Sequence, residues 1–458
     1  MSGLRHDLYL FHVKTNNVLF MTACFAACWF GFYADRIVSP FYFKGNLIIL
    51  ALFAFIYLNM AKVYDGLNVS LYRISEMIYG QVIAAAVTDA VLYVVISLLC
   101  RAFSPIWPGL LCFSGQGLVA VLWSLIAHRR YYHRFPAQKT AIVYRNRDEI
   151  EALIHMYGLA GKFDVQGYIH IDACMEDLSL LDQYQTVFLS GIHSRERNIL
   201  LKYCLEKGVD VYLKPGIGDM IMGSAEEIHL FHRPMLQVRR YNPQVLYLFE
   251  KRLFDFCAAL LILIITSPIM LATAIAVKSD GGPVFYKQER LTKNGRSFFI
   301  VKFRSMRVDA EGDGVARLST GDNDDRITKV GRFIRKVRLD ELPQLFNILK
   351  GDMSIVGPRP ERPEIAAAYE KELPEFRLRL QAKAGLTGYA QVYGKYNTTP
   401  YDKLVMDLKY IARASWATDL RLMMATVKTL FMPDSTEGVA VGQTTAMEEK
   451  ETVKEQVY

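Results

Sequence analysis

The sequence has no CxxC pair, although it contains seven cysteines. Five of the seven lie in or beside apolar segments: Cys24, Cys28, Cys100, Cys112 and Cys257. Disulfide-stapled secreted domains and structural zinc sites both depend on characteristic cysteine spacings. The sequence therefore favours neither a disulfide framework nor a zinc site.

The chain also lacks a nucleic-acid-binding motif, despite a formal net charge of +8. Its basic residues collect beside apolar segments instead of accompanying a nucleic-acid-binding fold. Anionic lipid headgroups and phosphorylated substrates suit that distribution better than DNA or RNA. We therefore expect membrane lipids as partners and no nucleic acid.

The whole chain is 52% hydrophobic. In its N-terminal part, four long apolar stretches contain almost no charged residues. These stretches are Val18–Tyr33, Leu47–Met60, Ile78–Cys100 and Trp107–Ala127. About 20 apolar residues span a bilayer core, so the stretches predict a four-helix transmembrane bundle over residues 1–136. A cleaved signal peptide is the alternative for the first stretch, but no small-residue cleavage site follows it.

Lysine and arginine mark one side of these predicted helices. Lys62 and Arg73 lie between the second and third stretches, and Arg129, Arg130 and Arg134 follow the fourth. Short loops retained in the cytoplasm are enriched in such residues. The pattern predicts a multi-pass protein of the inner, cytoplasmic membrane, with the later domains on its cytoplasmic face.

Residues 137–240 alternate between short β runs and helical runs, which predicts a small parallel-sheet, Rossmann-like α/β module. The predicted strands are Ala141–Tyr144, Val165–His170, Thr186–Ser190 and Val209–Leu213. The first strand is not followed by the glycine-rich turn that brings a pyrophosphate close to the backbone. A regulatory, docking or dimerising role is therefore favoured over nucleotide binding, and a homodimer stays open.

A fifth apolar run, Leu253–Val277, has basic residues on both sides. They are Arg239, Arg240, Lys251 and Arg252 before it, and Lys278, Lys287, Arg290, Lys293 and Arg296 after it. Ser267 and Pro268 lie near its middle, and proline removes a backbone hydrogen bond and bends a helix. These features predict a re-entrant helix over 252–278 that breaks at Ser267 and Pro268; a proline-kinked spanning helix is the alternative.

The densest polar cluster runs from Gly331 to Pro360. Within it, Leu342–Leu349 predicts a short helix that begins just after two acidic residues, Asp340 and Glu341. Helix capping is the ordinary interpretation of such acids. The surrounding arginines instead favour a carboxylate kept ionised beside groups that clamp phosphate oxygens, which suits attack on phosphorus.

From Tyr247 to about Phe431 the chain resembles the polyprenyl-phosphate glycosyl-1-phosphate transferases, the bacterial sugar transferase family. The motifs that carry the resemblance are LDELPQL at Leu339–Leu345, GPRP at Gly357–Pro360 and KFRSM at Lys302–Met306. With the four predicted helices and the α/β module, nearly the whole chain is similar to the large members of that family. The resemblance implies an α-rich catalytic domain over 245–432.

The resemblance also implies roles for individual residues. Asp340 and Glu341 would be the catalytic pair, with Asp340 as the nucleophile and a ligand of Mg²⁺. Arg335 and Arg359 would bind substrate phosphate, and Lys302 and Arg304 would help build the phosphate pocket. Ser267 and Pro268 match the family's break in the re-entrant helix.

The activity implied by the resemblance is transfer of a sugar 1-phosphate from a UDP-sugar to undecaprenyl phosphate, with release of UMP. The product would start exopolysaccharide or capsule synthesis, through a covalent phosphosugar on Asp340. Glucose, galactose and N-acetylated sugars all stay open as the donor sugar. Thr292 and Ala384 depart from the family pattern, which usually has glycine and proline at these positions.

Two other classes of function stay open beside the transferase. A transporter or flippase with a cytoplasmic regulatory domain is one, but ionisable residues are scarce in the predicted spans. A non-catalytic scaffold of polysaccharide assembly is the other, and the intact acidic pair argues against it. The polar segment 433–458 predicts a disordered tail.

Overall fold

The computed structural model describes residues 2–145, 150–241, 243–279, 281–308, 324, 326–394 and 398–430. The predicted tail over 433–458 lies outside the described residues. The chain divides into two compact units, Met1–Lys214 and Pro215–Tyr458. The predicted domain boundaries near residues 136 and 240 stay predictions.

The first unit begins with four long helices. They are α1 (Ser2–Cys28), α2 (Phe43–Val63), α3 (Ile74–Cys100) and α4 (Trp107–Arg134), with a π-helical turn, Trp29–Tyr33, and a 3₁₀ turn, Ala34–Arg36, after α1. Each is long and apolar enough to cross a membrane, as is one helix of the second unit. The chain is therefore a membrane protein.

Buried polar side chains join these four helices. The amide of Asn17 on α1 donates to Gln81 on α3 over 2.8 Å, and the Tyr57 hydroxyl on α2 donates to Asn17 over 2.8 Å. The Gln81 amide in turn donates to the Ser124 hydroxyl on α4 over 3.0 Å. All four side chains are fully buried. Such satisfied polar contacts fix how apolar helices pack against one another.

A four-stranded parallel sheet follows in the first unit, with strand order β2-β1-β3-β4. Its strands are β1 (Gln138–Tyr144), β2 (Phe163–His170), β3 (Thr186–Ser190) and β4 (Asp210–Leu213). Its helices are α5 (Ile150–Met156), α6 (Ile171–Glu176) and α7 (Ser194–Lys207). The predicted α/β module is confirmed, because the core of each strand lies where its β run predicts it.

The second unit opens with a short helix, an antiparallel hairpin and the fifth long helix. These are α8 (Ile217–Met222), β5 (Glu226–Leu230), β6 (Arg233–Gln237) and α9 (Val245–Ser279). Helix α9 starts before the apolar run Leu253–Val277 and continues through Pro268. Whether α9 crosses the bilayer or returns to the same face stays a prediction.

Another antiparallel hairpin and the segment that holds the acidic pair come next. They are β7 (Phe285–Leu291), β8 (Ser297–Phe303), α10 (Lys329–Lys336), a 3₁₀ turn (Leu339–Glu341) and α11 (Gln344–Lys350). Helix α11 ends at Gly351, whose φ of +94° favours glycine. The sequence predicted this short helix but not the hairpin, whose strands carry many charges.

The remaining elements complete the second unit. They are β9 (Ser354–Val356), α12 (Pro363–Glu372), a 3₁₀ segment (Pro374–Gln381), β10 (Gly385–Thr387), α13 (Tyr389–Tyr393), α14 (Pro400–Ala412) and α15 (Trp416–Leu430). Strands β9 and β10 pair in parallel. Ala259 of α9, Ile300 of β8 and Ile348 of α11 meet in one buried core, which fixes the three elements together.

Candidate active site

The acidic pair lies in the 3₁₀ turn between α10 and α11. The preceding residue, Arg338, adopts the left-handed conformation with φ of +59°, which turns the chain sharply from α10 into the acids. Asp340 is 9% exposed and its neighbour Glu341 is mostly buried. The prediction that the acids precede α11 is confirmed. They lie in the separate 3₁₀ turn Leu339–Glu341, before the first turn of α11.

Glu341 is neutralised by cations from two other elements. The Lys302 ammonium on β8 donates to Glu341 Oε1 over 2.8 Å, and the Arg359 guanidinium lies 3.7 Å from the same oxygen. Burial opposes ionisation of Glu341, but Lys302 and Arg359 hold its pKa well below the usual range. Glu341 is therefore an ionised group that binds Lys302 and orients it.

Asp340 has a different environment from its neighbour. Among the described residues, no hydrogen bond or ion pair reaches the Asp340 carboxylate. Burial and the adjacent Glu341 carboxylate raise the pKa of Asp340 to about 6. Three cations lie near enough to oppose that rise: Lys302, Arg335 and Arg338. Asp340 is thus a buried carboxyl group in a cationic setting, and its oxygens make no hydrogen bond to the described residues.

Arg359 projects from a turn that is held in place by a buried ionic network. The Arg379 guanidinium donates to the Arg359 carbonyl over 2.7 Å and lies 2.7 Å from Asp407. At the start of the turn, a Cβ on Gly357 would lie 2.3 Å from the Lys383 carbonyl oxygen. Glycine is required there, so the GPRP motif builds a close crossing of two chain segments.

The structure gathers most of the predicted site residues but gives Arg304 other contacts. Lys302 and Arg359 lie beside Glu341, and Arg335 is near enough to influence Asp340 through its charge, while their phosphate-binding roles stay predictions. Arg304 is buried, and its Nε donates to the Pro283 carbonyl over 2.9 Å. One Nη donates to the carbonyls of Val277, over 3.0 Å, and of Gly281. These bonds tie Arg304 to the end of α9, and its phosphate-binding role stays a prediction.

Ser267 and Pro268 lie on the exposed surface of α9. The Ser267 hydroxyl donates to the Ile264 carbonyl over 2.8 Å. This is the back-bonding expected of a serine beside a helical proline. Their role in a membrane turn stays a prediction.

Two further residues near the site, Arg338 and Arg252, were not among the predicted site residues. Arg338 influences both acids through its charge, and its place in the basic run before Asp340 was the available signal. Arg252 donates to the carbonyls of Ile348 and Leu349 over 2.6 and 2.7 Å, which anchors the end of α11 to α9. No pattern in the sequence indicates this long-range contact.

The side chains of the site could hold Mg²⁺. Mg²⁺ prefers carboxylate oxygens and is commonly held by one or two carboxylates together with substrate phosphates and water. Asp340 offers such an oxygen, and a dication beside it would offset the burial that raises its pKa. Among the described residues, no group of three or more His, Cys, Asp or Glu side chains gathers as a metal cage. Any Mg²⁺ at Asp340 would therefore take further ligands from substrate and water.

Comparison with known proteins places this site in a family. A sequence profile described as bacterial sugar transferase matches residues 246–433. A UDP-glucose:undecaprenyl-phosphate glucose-1-phosphate transferase of Caulobacter vibrioides is 39% identical over 199 residues, which are 42% of this chain and 74% of that protein. The chain belongs to the bacterial sugar transferase family.

Other bacterial sugar transferases match over a smaller share of their length. A UDP-N-acetylgalactosamine-undecaprenyl-phosphate N-acetylgalactosaminephosphotransferase of Aeromonas hydrophila is 36% identical over 268 residues, 58% of this chain and 60% of that protein. The galactosyl transferase CpsE of Streptococcus agalactiae is 40% identical over 196 residues, 41% of this chain and 43% of that protein. The chain thus spans less than two thirds of these two relatives.

Proposed function

We propose that this bacterial sugar transferase moves a sugar 1-phosphate from a UDP-sugar to undecaprenyl phosphate and releases UMP. The product would be the polyprenyl-diphosphate-sugar that initiates exopolysaccharide or capsule synthesis. The observation that carries the proposal is Asp340, a buried carboxyl group without a bonded partner among the described residues, set among cations. The names of the relatives from Caulobacter and Aeromonas support the same reaction class.

In the first step, a carboxylate oxygen of Asp340 attacks the β-phosphorus of the UDP-sugar. A bond forms between that oxygen and phosphorus, and the bond from phosphorus to the bridging oxygen breaks. UMP leaves with the bridging oxygen and its electron pair, and the phosphosugar stays on Asp340. Desolvation makes an ionised carboxylate a better nucleophile, so the burial of Asp340 favours its attack on phosphorus.

In the second step, an oxygen of the polyprenyl phosphate attacks the phosphorus of that acyl phosphate. A new phosphoanhydride bond forms, the bond to Asp340 breaks, and the carboxylate is restored. The two steps return the enzyme to its starting state with no proton or electron left over.

Cations of this chain stabilise charge during both steps. Arg335 and Arg338 precede, in the chain, the 3₁₀ turn Leu339–Glu341, which we call the acid turn. Lys302 is brought to it by β8, and Arg359 by the turn of the GPRP motif, Gly357–Pro360, which we call the GPRP turn. Guanidinium groups bind phosphate oxygens in two-bond geometry, so we assign substrate phosphate binding to Arg335 and Arg359. Mg²⁺, bound through Asp340, would supply further neutralisation of the pyrophosphate charge.

The membrane arrangement completes the proposal. The first four helices would form a transmembrane bundle, and α9 would dip into the cytoplasmic leaflet and return at Ser267 and Pro268. Such a re-entrant helix would keep the isoprenoid tail in lipid while its phosphate meets a water-soluble nucleotide sugar. The basic residues at both ends of α9 support this orientation.

The proposal is tested by UMP release from membranes that contain the full chain, with undecaprenyl phosphate and Mg²⁺ present. Each of a panel of UDP-sugars is supplied in turn, to wild type and to Asp340→Ala. We expect release with one or a few donors from wild type only. Substrate movement across vesicles without UMP release would instead support a transporter, and folded protein inert with all donors would support a scaffold.

A further inference from the structure

The side chain of Asn347 on α11 makes two hydrogen bonds to the backbone of β8. Its Oδ1 accepts from the Val301 N–H over 3.0 Å, and its Nδ2 donates to the Phe299 carbonyl over 2.8 Å. Asn347 is 4% exposed, so both bonds are made away from water. The donor and the acceptor of the amide each have a partner, which fixes the orientation of the group.

These two bonds reproduce the contacts of a neighbouring strand. A carbonyl and an N–H two residues apart on one strand are the groups that a residue of an adjacent strand engages. Strand β7 pairs along β8, with Lys287 opposite Val301 and Glu289 opposite Phe299. Asn347 therefore takes the place of a residue of a neighbouring strand. Its two bonds fix the position of α11 along β8.

That register decides where Lys302 lies. Lys302 follows Val301 directly, and its ammonium donates to Glu341 over 2.8 Å. A slip of one residue moves a strand by roughly 3.3 Å and turns each side chain to the opposite face. Such a slip would take the Lys302 ammonium away from the acidic pair.

The backbone of Asn347 stabilises the C-terminal end of α11, the helix that connects the acids to β8. Its carbonyl accepts from the N–H groups of Gly351 and Asp352, both over 3.0 Å, where α11 ends. Helix α11 starts within three residues of Glu341, and its end is anchored by Arg252. Asn347 thus lies on a short rigid element that joins the acid turn to β8.

We infer that Asn347 is a positioning residue that sets Lys302 against the Asp340–Glu341 pair by locking β8 to α11. This inference rests on the proposed function, because it assigns Asn347 its effect through the catalytic acids. Among the described residues, the side chain of Asn347 makes its hydrogen bonds to β8 and not to the acids.

The first test is a double-mutant cycle in the full-length protein, with UMP release as the readout. It compares wild type, Asn347→Ala, Lys302→Met and the double variant. We expect Asn347→Ala to lower kcat by about tenfold or more, because small displacements of charged catalytic groups are costly. We expect the double variant to be no slower than Lys302→Met, since Asn347 acts through Lys302.

Losses that multiply in the double variant would overturn the inference. Thr426→Val is the matched control: it removes a partly buried side-chain hydrogen bond of 2.6 Å to Thr387 in the same unit, and it should leave kcat near that of wild type. If Asn347→Ala does not fold, Asn347→Asp replaces it. Aspartate keeps the acceptor for Val301 and loses the donor to Phe299.

A second test does not depend on turnover. An amine-acylating reagent is applied to wild type and Asn347→Ala, and the modification of Lys302 is measured by mass spectrometry relative to the exposed Lys371. We expect Lys302, once released from Glu341, to react several-fold faster in the variant. An unchanged ratio would refute the inference.

The two tests separate the two claims. Wild type that releases no UMP from any donor would refute the proposed function, and the acylation ratio would still decide the role of Asn347. Wild type that does release UMP, with an unchanged ratio and multiplied losses, would refute the role of Asn347 alone.

Discussion

Asp340 and Glu341 are adjacent in the chain, yet their carboxyl groups have different surroundings. Glu341 binds Lys302 at 2.8 Å and has Arg359 nearby, and its pKa is held low. Asp340 lacks such a bond among the described residues, and its pKa is raised. Glu341 thus organises the neighbouring cations, whereas the oxygens of Asp340 are bonded to none of the described residues. This difference between neighbours supports the proposal that Asp340 is the nucleophile.

The first prediction concerns Lys302→Gln. The positive charge of Lys302 lowers the pKa of Asp340, so its removal raises that pKa further. Attack requires ionised Asp340, and therefore the acid limb of the kcat/KM profile for the UDP-sugar should move to higher pH. The loss of rate should be larger in acid than in alkali. Lys371→Gln, at an exposed position of α12, is the control.

An acid limb at the wild-type position in Lys302→Gln would contradict the electrostatic coupling. A loss that is equal at every pH would show that Lys302 contributes only to binding or to folding.

The second prediction separates the structural from the phosphate-binding role of Arg304. Its buried guanidinium bonds three carbonyls around the end of α9. Arg304→Met should therefore lower the free energy of unfolding by about 2 kcal/mol or more, which thermal unfolding in detergent measures. A variant with wild-type stability and a large rise in KM for the UDP-sugar would instead favour phosphate binding.

At the scale of elements, hydrophobic pattern predicts some parts and not others. The parallel strands contain apolar runs bounded by helices, so their positions were predicted, although β1 and β2 begin three and two residues earlier than expected. Strands β7 and β8 carry Lys287, Glu289, Arg290 and Lys302 among their apolar residues, which hides the strand period. Their existence depends on α11 and α9 covering one face, which is a long-range contact that no local pattern contains.

The third prediction concerns the two positions that depart from the family pattern. The Thr292 hydroxyl donates to the Asp352 carbonyl over 3.0 Å and accepts from the Ala384 N–H over 3.1 Å. Both positions are buried. Glycine at 292 would remove the hydroxyl, and proline at 384 would remove the N–H. The two departures therefore compensate each other.

Unfolding measurements on Thr292→Gly, Ala384→Pro and the double variant test this compensation. We expect Thr292→Gly to cost about 1–3 kcal/mol because it leaves a buried N–H unpaired. The double variant should lose less than the sum of the single losses, since proline has no N–H to leave unpaired. Additive losses would show that the positions are independent.

The fourth prediction concerns the path of α9. If α9 is re-entrant, its two flanks lie on the same, cytoplasmic side. Single cysteines introduced as Gln244→Cys and Lys287→Cys, both exposed positions, are placed in a chain without other cysteines. A membrane-impermeant maleimide should label neither in intact spheroplasts and both in opened membranes. Labelling of one site from outside would show a spanning helix.

For the whole molecule, the residues proposed to carry the chemistry lie in the second unit, Pro215–Tyr458. The acid pair and its cations come from the acid turn, α10, β8 and the GPRP turn. Their motifs made the residue identities predictable from sequence. The resemblance also implied Asp340 as the nucleophile, but the contacts of the two acids were not predictable, because they depend on which cation β8 brings to which carboxylate. Family membership also rests on this unit, since the profile matches residues 246–433.

The measurement that tests the account most directly is capture of the phosphosugar on Asp340. The protein is mixed with its UDP-sugar and Mg²⁺ in the absence of acceptor, quenched in acid, and digested for mass spectrometry. We predict a burst of UMP stoichiometric with enzyme and a peptide containing Asp340 that carries one sugar phosphate, both missing from Asp340→Asn. Full turnover with acceptor present, but no burst and no modified peptide, would contradict a covalent role for Asp340.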